Sequence, residues 1–528
     1  DGNIHIEGGG VAPDVRVPVT VESFQRQLAG DDVILEAAEA VIGQPKGAGV
    51  TPSASPKIAS PAEAEAALRV SINLAERDRR QISDAYGRSI FLASRQSVYR
   101  AMTDFQFTTK QDPAQAFNYA EIAKSRDLLD VLSGHGRLVS DAGQHSLQLS
   151  GAAQALPLRR VQQSLPTQVQ MLAFSVTDER LLMWVVERDR LVPASVDISA
   201  AELSKKATEY LKGMREQRDL VVLNQQGKEL YQLLIAPVAA ALDPKKTLCI
   251  VPDGALAQVP FTALFSPQVE RYLAEDFVIT VNPSASVFVE TLALARSKRV
   301  SSQNSQQESF FGLSNPLFDY KRFQRLPSLP SADEEVGQAK SFYLRALTVN
   351  RDQATKKALV SQMAKHEIVH VATHVMINAE SPLSSAIVLA SGPNEGNEPS
   401  VASTEGELQA HEIYRLKLSR TRLVVLSGCR SAVGRYGQGE ALGTLAQGFF
   451  TAGVPSVVAS LWEVDDESTA SLMQTFHQRH RVEQESFTEA LRQAQRAMIH
   501  GAAVKYRHPY YWAAFIISGA EPNVNKIQ

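Results

Sequence analysis

The 528 residues are 44% hydrophobic and 21% charged, a balance that builds folded domains and excludes wholesale disorder. The length suggests about three domains. The 54 Lys and Arg stand against 57 Asp and Glu, a net charge of −3 that excludes the dominant basic field of a nucleic-acid binder.

The chain opens at Asp1 and reads as a processed product or an excerpt from a longer precursor, without a signal peptide at its start. Residues 1–60 read as a tail and linker. A glycine turn at Gly8-Gly9-Gly10 sits between two short strands, helical spacing covers 31–42, and 43–60 is rich in Gly, Pro, Ala and Ser. Residues 61–150 read as a helical region. Ser60-Pro61-Ala62-Glu63 forms a capping box with proline at the first helical position. Leu68, Ile72 and Ala75 then share one face, and Asp112-Pro113 opens a later helix carrying Phe117, Ala120 and Leu128. Two or three antiparallel helices are expected between 61 and 133, broken by the Gly/Ser-rich 134–150.

From about residue 160 strands and helices alternate. A hairpin is expected from the apolar runs 171–176 and 181–186, followed by helices near 200–215 and 226–241 and a buried strand at 247–251. Further strands are expected at 310–313, 347–350, 368–371, 386–390, 423–426, 457–461 and 513–517. Helices at 334–343, 355–364, 439–451, 467–480 and 486–499 lie between most of them, the last opening on a capping box at Ser486 and Glu489. Short apolar strands alternating with helices predict an α/β fold, a mostly parallel sheet covered on both faces and preceded by a short α-helical segment. No apolar run reaches the length of about 18 residues needed to span a membrane.

The two cysteines, Cys249 and Cys429, exclude a disulfide framework and a multi-cysteine zinc site. Cys249 lies inside the run Thr247-Leu248-Cys249-Ile250-Val251 and reads as packing. Cys429 instead follows the apolar run Leu423-Val424-Val425-Leu426 and Ser427-Gly428. His374 likewise ends the run Ile368-Val369-His370-Val371-Ala372-Thr373. Ligands of open α/β sheets bind beyond the carboxyl ends of strands. A thiol needs a neighbouring imidazole to become a nucleophile, and that imidazole can later protonate the leaving amine. Cys429 and His374 at adjacent strand ends would make a minimal peptidase dyad. The backbone N–H of Cys429 and of the loop after His374 are the candidate oxyanion donors. His370, inside its strand, reads as a core or supporting group. His477-x-x-His480 reads as two exposed histidines rather than metal ligands. Gly437-x-Gly439-x-x-x-Gly443 lacks the Gly-Lys-Ser/Thr end of a phosphate loop, which argues against a nucleotide site. Asp465 and Asp466 either favour a helix N-terminus electrostatically or face the active edge.

The motifs around His370–His374 and Leu426–Ala432 resemble those of CHAT domains, caspase- and separase-like cysteine peptidases associated with tetratricopeptide repeats. Gly439–Gly443, Ala452–Trp462, Val464-Asp465-Asp466, Ala490–Gln495, His508–Phe515 and, upstream, Val251–Leu256 and Val259–Leu264 are similar to the family's other segments. The resemblance covers about 160–521 and implies a caspase-like sheet, with an amino-terminal half at 151–300 and a catalytic half at 301–528. It implies Cys429 as nucleophile, His374 as general base and acid, and oxyanion donors at Val375 and Cys429. The family usually has glycine where Val375 stands. The separase-like branch implies Asp465 and Asp466 as substrate-binding acids that select Arg or Lys. Residues 116–130 resemble the repeat helix that precedes such modules, without a full repeat array. Residues 1–43 resemble the closing stretch of tail-specific serine peptidases, whose serine–lysine core is absent.

The function expected is a cysteine endopeptidase acting on a protein or peptide substrate through a thioester. It would need no cofactor and no metal. A regulatory protein partner bound through the helical region, or self-cleavage at 301–308 or 392–406, would control it. The alternative is a catalytically silent scaffold that binds a protein partner. A cytoplasmic location is expected from the free thiol, with an exported or periplasmic precursor as the alternative suggested by the tail.

Overall fold

Strands that are apolar on both sides need cover on both sides. The computed structural model describes residues 60–141, 144–301, 308–323, 326–378, 381–391, 406–428 and 444–521, and it contains two main sheets of this kind. The chain divides into two compact units, one ending at Leu74 and the other starting at Ala75. The tail and linker expected over 1–59 lie outside the described residues.

Helix α1 (Pro61–Gln81) starts with the predicted capping box: Glu63 N donates to Ser60 Oγ at 3.3 Å and Ser60 N donates to Glu63 Oε2 at 2.8 Å. In the second unit follow α2 (Ala85–Asp104) and α3 (Pro113–Ile122), the latter capped by Asp112, which accepts from Gln115 N at 2.9 Å. The stretch expected to interrupt structure after 133 instead contains a hairpin, Gly136–Asp141 against Gln144–Leu149. Leu147 and Leu149 bury their side chains there, a period-two signal too short to stand out against the surrounding glycine and serine.

The first sheet contains β1 (Val169–Val176), β2 (Arg180–Val186), β3 (Leu191–Asp197), β4 (Thr247–Val251) and β5 (Val278–Val281), in the order β3-β2-β1-β4-β5. β1 to β3 form an antiparallel meander, and β4 and β5 continue parallel to β1. Helices α4 (Ala200–Arg215) and α5 (Leu220–Leu234) connect β3 to β4, and α6 (Ala285–Ser301) follows β5. The second sheet contains β6 (Ser309–Pro316), β7 (Arg345–Arg351), β8 (Ile368–Ala372), β9 (Leu423–Ser427), β10 (Ser456–Ser460) and β11 (Phe515–Gly519), in the order β7-β6-β8-β9-β10-β11. Only β11 runs antiparallel to its neighbour. The connecting helices are α7 (Pro330–Ser341), α8 (Lys356–Met363), α9 (Thr444–Thr451), α10 (Asp466–Arg481) and α11 (Phe487–Ile499). The expected strand at 386–390 is shorter, Ala386–Val388, and belongs to a separate small sheet with Val375–Met376 and Glu407–Gln409. Ser486 caps α11 through Glu489 N at 3.1 Å, but the Glu489 carboxylate turns to Arg492 at 2.8 Å, so half of that expected capping box forms.

The two sheets meet where β5 approaches β11. Thr280 Oγ1 donates to Ile517 O at 3.1 Å, and Gly519 N donates to Asn282 Oδ1 at 2.9 Å. Gly519 sits at φ +92°, where a Cβ would lie 2.0 Å from Pro455 O, so only glycine fits this junction. Within the second unit, α3 and the turn before it pack on the first sheet. The Trp184 ring stands edge-on to Phe107 and Phe117, and its Nε1 donates to Pro113 O at 2.8 Å. Buried Glu121 accepts from Ala285 N and Ser286 N at 3.2 Å each, placing its charge at the start of α6. Cys249 belongs to the same apolar cluster and burial pushes its thiol pKa up, consistent with packing.

Candidate functional site

β8 and β9 pair in parallel register with Ala372 opposite Ser427, and all ten of their residues are buried. Beyond β8 the chain is stitched to the small sheet. Thr373 Oγ1 donates to Val388 O at 2.8 Å, and Val388 N donates to His374 O at 2.9 Å. Val375 pairs with Ile387 in that antiparallel ladder. Because 374 and 388 form a hydrogen-bonded position, the next pair is of the other kind, with N–H groups turned away from the partner strand. The Val375 amide therefore points out of this ladder.

His374 is 5% exposed. Its Nε2 lies 2.7 Å from Pro327 O, and Phe318 meets the ring edge-on at 5.7 Å. A carbonyl oxygen can only accept, so Nε2 carries a hydrogen, and in the neutral tautomer this leaves Nδ1 as the acceptor. Pro327 is delivered by the segment after β6, which is anchored by the cluster of Phe318, Phe323 and Val388 with Leu326.

Gly428 closes the described end of β9. A Cβ there would stand 2.3 Å from Thr373 O and 3.1 Å from Val375 Cγ2. Its carbonyl accepts from Ser460 Oγ, on β10, at 2.5 Å. This close approach ties the end of β9 to both neighbours of His374. Gly428→Ala is expected to lower stability by about 1–3 kcal/mol through overpacking, read as a lower urea midpoint at unchanged m. Cys429 lies outside the described residues, as do Gly437-x-Gly439-x-x-x-Gly443 and the loops 302–307 and 392–405.

Asp465 and Asp466 stand at the start of α10. Asp465 is its N-cap, accepting from Ser468 N at 2.9 Å through Oδ1, while Oδ2 lies 3.9 Å from Lys505 Nζ. Asp466 Oδ2 accepts from Ser331 N at 2.9 Å, at the first turn of α7. Both carboxylates thus have structural partners.

His477 and His480 are buried, not exposed as their spacing suggested. The reason is the packing of α10 beside α7 and β8. Tyr343 OH lies 2.9 Å from His477 Nδ1, His477 Nε2 lies 2.9 Å from His370 Nδ1, and His370 Nε2 lies 2.7 Å from Glu335 Oε1. The four side chains form one continuous buried row, with the Tyr343 hydroxyl and the Glu335 carboxylate at its two ends. His480 Nε2 meets Glu308 Oε2 at 2.9 Å.

Burial, reinforced by His370 and His480, holds His477 well below the usual 6.5. The unfolded chain therefore binds the extra proton once pH falls below that value, so this residue's contribution to stability is present above 6.5 and lost as pH falls, at up to about 1.4 kcal/mol per pH unit. Glu521 acts in the opposite sense: burial pushes its carboxyl up to about 7, so its contribution increases as pH falls from there. His477→Gln is expected to flatten the acid side of a stability-against-pH curve relative to the parent. Parallel curves would refute this role.

The CHAT domain family matches residues 224–520, more than half of the chain. The chain belongs to the CHAT family. The match begins within α5, whereas β1 to β3, which share a sheet with β4 and β5 of the CHAT module, lie upstream of it. Tetratricopeptide repeat protein 28 of Mus musculus is 26% identical over 341 residues, covering 56% of this chain and 13% of that protein. The Homo sapiens protein of the same name is 25% identical over 338 residues, with the same two shares. The chain thus spans 13% of the length of these curated relatives. Among solved structures, Saccharomyces cerevisiae separase in its complex with securin has a TM-score of 0.54 at 10% identity, over 94% of this chain and 43% of that one. At that identity the likeness concerns the fold, and it gives the CHAT module a separase-like, and so caspase-like, α/β architecture.

The CHAT motifs pointed to His374 but not to Pro327. A backbone carbonyl that holds a ring 47 residues away leaves no side-chain signature in a sequence. Among the described residues no group of three or more His, Cys, Asp or Glu could hold a metal ion.

Proposed function

We propose that this CHAT protein is a cysteine endopeptidase that cleaves protein substrates with Cys429 as nucleophile and His374 as base and acid. The observation that carries the proposal is the β8–β9 register: with Ala372 opposite Ser427, His374 and Cys429 each follow two residues after a paired strand end. The Pro327 carbonyl supports it by fixing the His374 tautomer with Nδ1 as the accepting nitrogen. In the proposed reaction, His374 takes the thiol proton and the thiolate attacks the peptide carbonyl carbon. The N–H groups of Val375 and Cys429 receive the developing oxyanion. His374 returns its proton to the leaving amine, and water then hydrolyses the thioester.

Asp465 is the proposed selector of Arg or Lys before the scissile bond, because Oδ2 remains beside the capping Oδ1 and already has Lys505 within 3.9 Å. A protein partner or self-cleavage is proposed to control access. Separase in complex with securin provides a fold-related example of a partner-bound protein. A free thiol nucleophile suits a reducing compartment, so the cytoplasm is the proposed location.

A peptidyl electrophile that reacts with thiolates tests the dyad. It is expected to label the parent at Cys429, to spare buried Cys249, and to label His374→Ala much more slowly. Equal labelling rates in parent and His374→Ala would remove the imidazole from the mechanism and favour a silent scaffold.

A further inference from the structure

A crevice of about 930 Å³ opens between α4, the turn Gly254–Gln258 and the Trp462-Glu463 pair. β4 ends at Val251 and β10 at Ser460, so these last two walls lie just past the carboxyl ends of one strand from each sheet. Strand-end crevices between parallel elements are where α/β folds bind ligands, and the volume suits a compact ligand or a short peptide segment.

Its chemistry is selective. Leu203, Ala207 and Leu211 recur at i, i+4 and i+8 along α4 and give the crevice an apolar side. Arg100, Lys212 and Arg215 line the same space. The Glu216 carboxylate is already occupied by Arg218 at 2.9 Å and Lys212 at 3.7 Å. Among the described residues neither Arg100 nor Arg215 forms an ion pair, and the buried Nε of Arg100 has no acceptor. Both guanidinium groups line the crevice without a carboxylate partner among the described residues, and a carboxylate supplied by a ligand would pair with them there. Glu463 is the remaining lining acid, and it leads within two residues to Asp465.

We propose that this crevice is an exosite for an acidic, leucine-type segment of the protein substrate. This rests on the peptidase reading and deepens it: a basic residue is taken near Asp465, and a carboxylate beside an apolar side chain is held near Arg100 and Arg215. Charge complementarity with the unpaired guanidinium groups selects this occupant over a basic peptide.

The test measures binding apart from cleavage. A fluorescein-labelled peptide of alternating Glu and Leu, and its Lys-Leu counterpart, are titrated against the full chain carrying Cys429→Ala, with fluorescence anisotropy as the readout. The Glu-Leu peptide is expected to bind, weakening with added salt, and to lose about tenfold or more in affinity when Lys212→Glu and Arg215→Glu are added. Both positions are exposed, so the fold tolerates the reversal, and circular dichroism verifies it. Equal binding of the two peptides, or unchanged Glu-Leu affinity in the charge-reversed chain, would overturn the exosite. Cleavage by the parent chain is scored separately. Loss of the exosite with Cys429-dependent cleavage intact removes this inference alone, whereas charge-dependent binding without any cleavage removes the peptidase reading and leaves a peptide-binding site.

Discussion

His374→Ala is expected to lower peptide cleavage by about 10²–10⁴-fold, the usual contribution of a positioned general base and acid. The effect is read as kcat/KM on any protein substrate the parent cuts. The variant loses both the acceptor Nδ1 and the donor that engages Pro327 O at 2.7 Å. That carbonyl would then lie beside a cavity next to Phe318, at a structural cost of about 1–3 kcal/mol. A folded variant with a small urea-midpoint shift and a large activity loss is therefore the expected pattern. An activity loss no larger than the fraction unfolded would give His374 a merely structural role.

The largest expected effect on stability is at Asp130. This residue is 0% exposed, and its Oδ2 accepts from Arg79 Nη1 at 2.7 Å and Arg88 Nη1 at 2.9 Å. Its Oδ1 accepts from Ala153 N at 2.6 Å, which ties α2 and its neighbours to the segment entering the first sheet. Both arginines are also buried, and Arg79 Nε and Nη2 already lack hydrogen-bond partners. Asp130→Ala would leave the buried Arg88 guanidinium without its carboxylate and Arg79 with only Glu76 at 3.6 Å, a loss of about 3–5 kcal/mol. Urea unfolding is expected to show it as a large fall in midpoint. A shift within about 0.5 kcal/mol, the scale of an ordinary surface substitution, would show that this cluster is solvated in solution.

The strands of the second sheet were legible because β8, β9 and β10 are continuous apolar runs bounded by turns, and buried parallel strands have that pattern. The position of His374 followed from where its run ended. β3 was harder to see: it is an edge strand with an exposed, alternating face and a proline at Pro193, so it lacks a buried strand's apolar continuity. The histidines of α10 were misread for a different reason. His477 and His480 sit among Gln478, Arg479 and Arg481, a polar neighbourhood in sequence. Their burial comes from Tyr343, His370 and Glu308, residues remote in the chain. Asp465 and Asp466 allowed two roles from sequence, and the folded chain shows the helix-capping one directly at Asp465. Helix α6 was missed, although its start carries a buried carboxylate partner, because that partner, Glu121, comes from the distant helix α3.

The most direct measurement of the central claim is an unbiased map of new peptide ends made by the full chain in its native proteome, compared with the same chain carrying Cys429→Ala. The dyad predicts ends that appear with the parent and vanish with the variant, enriched in Arg or Lys before the cut. The same ends produced at the same rate by Cys429→Ala would contradict it.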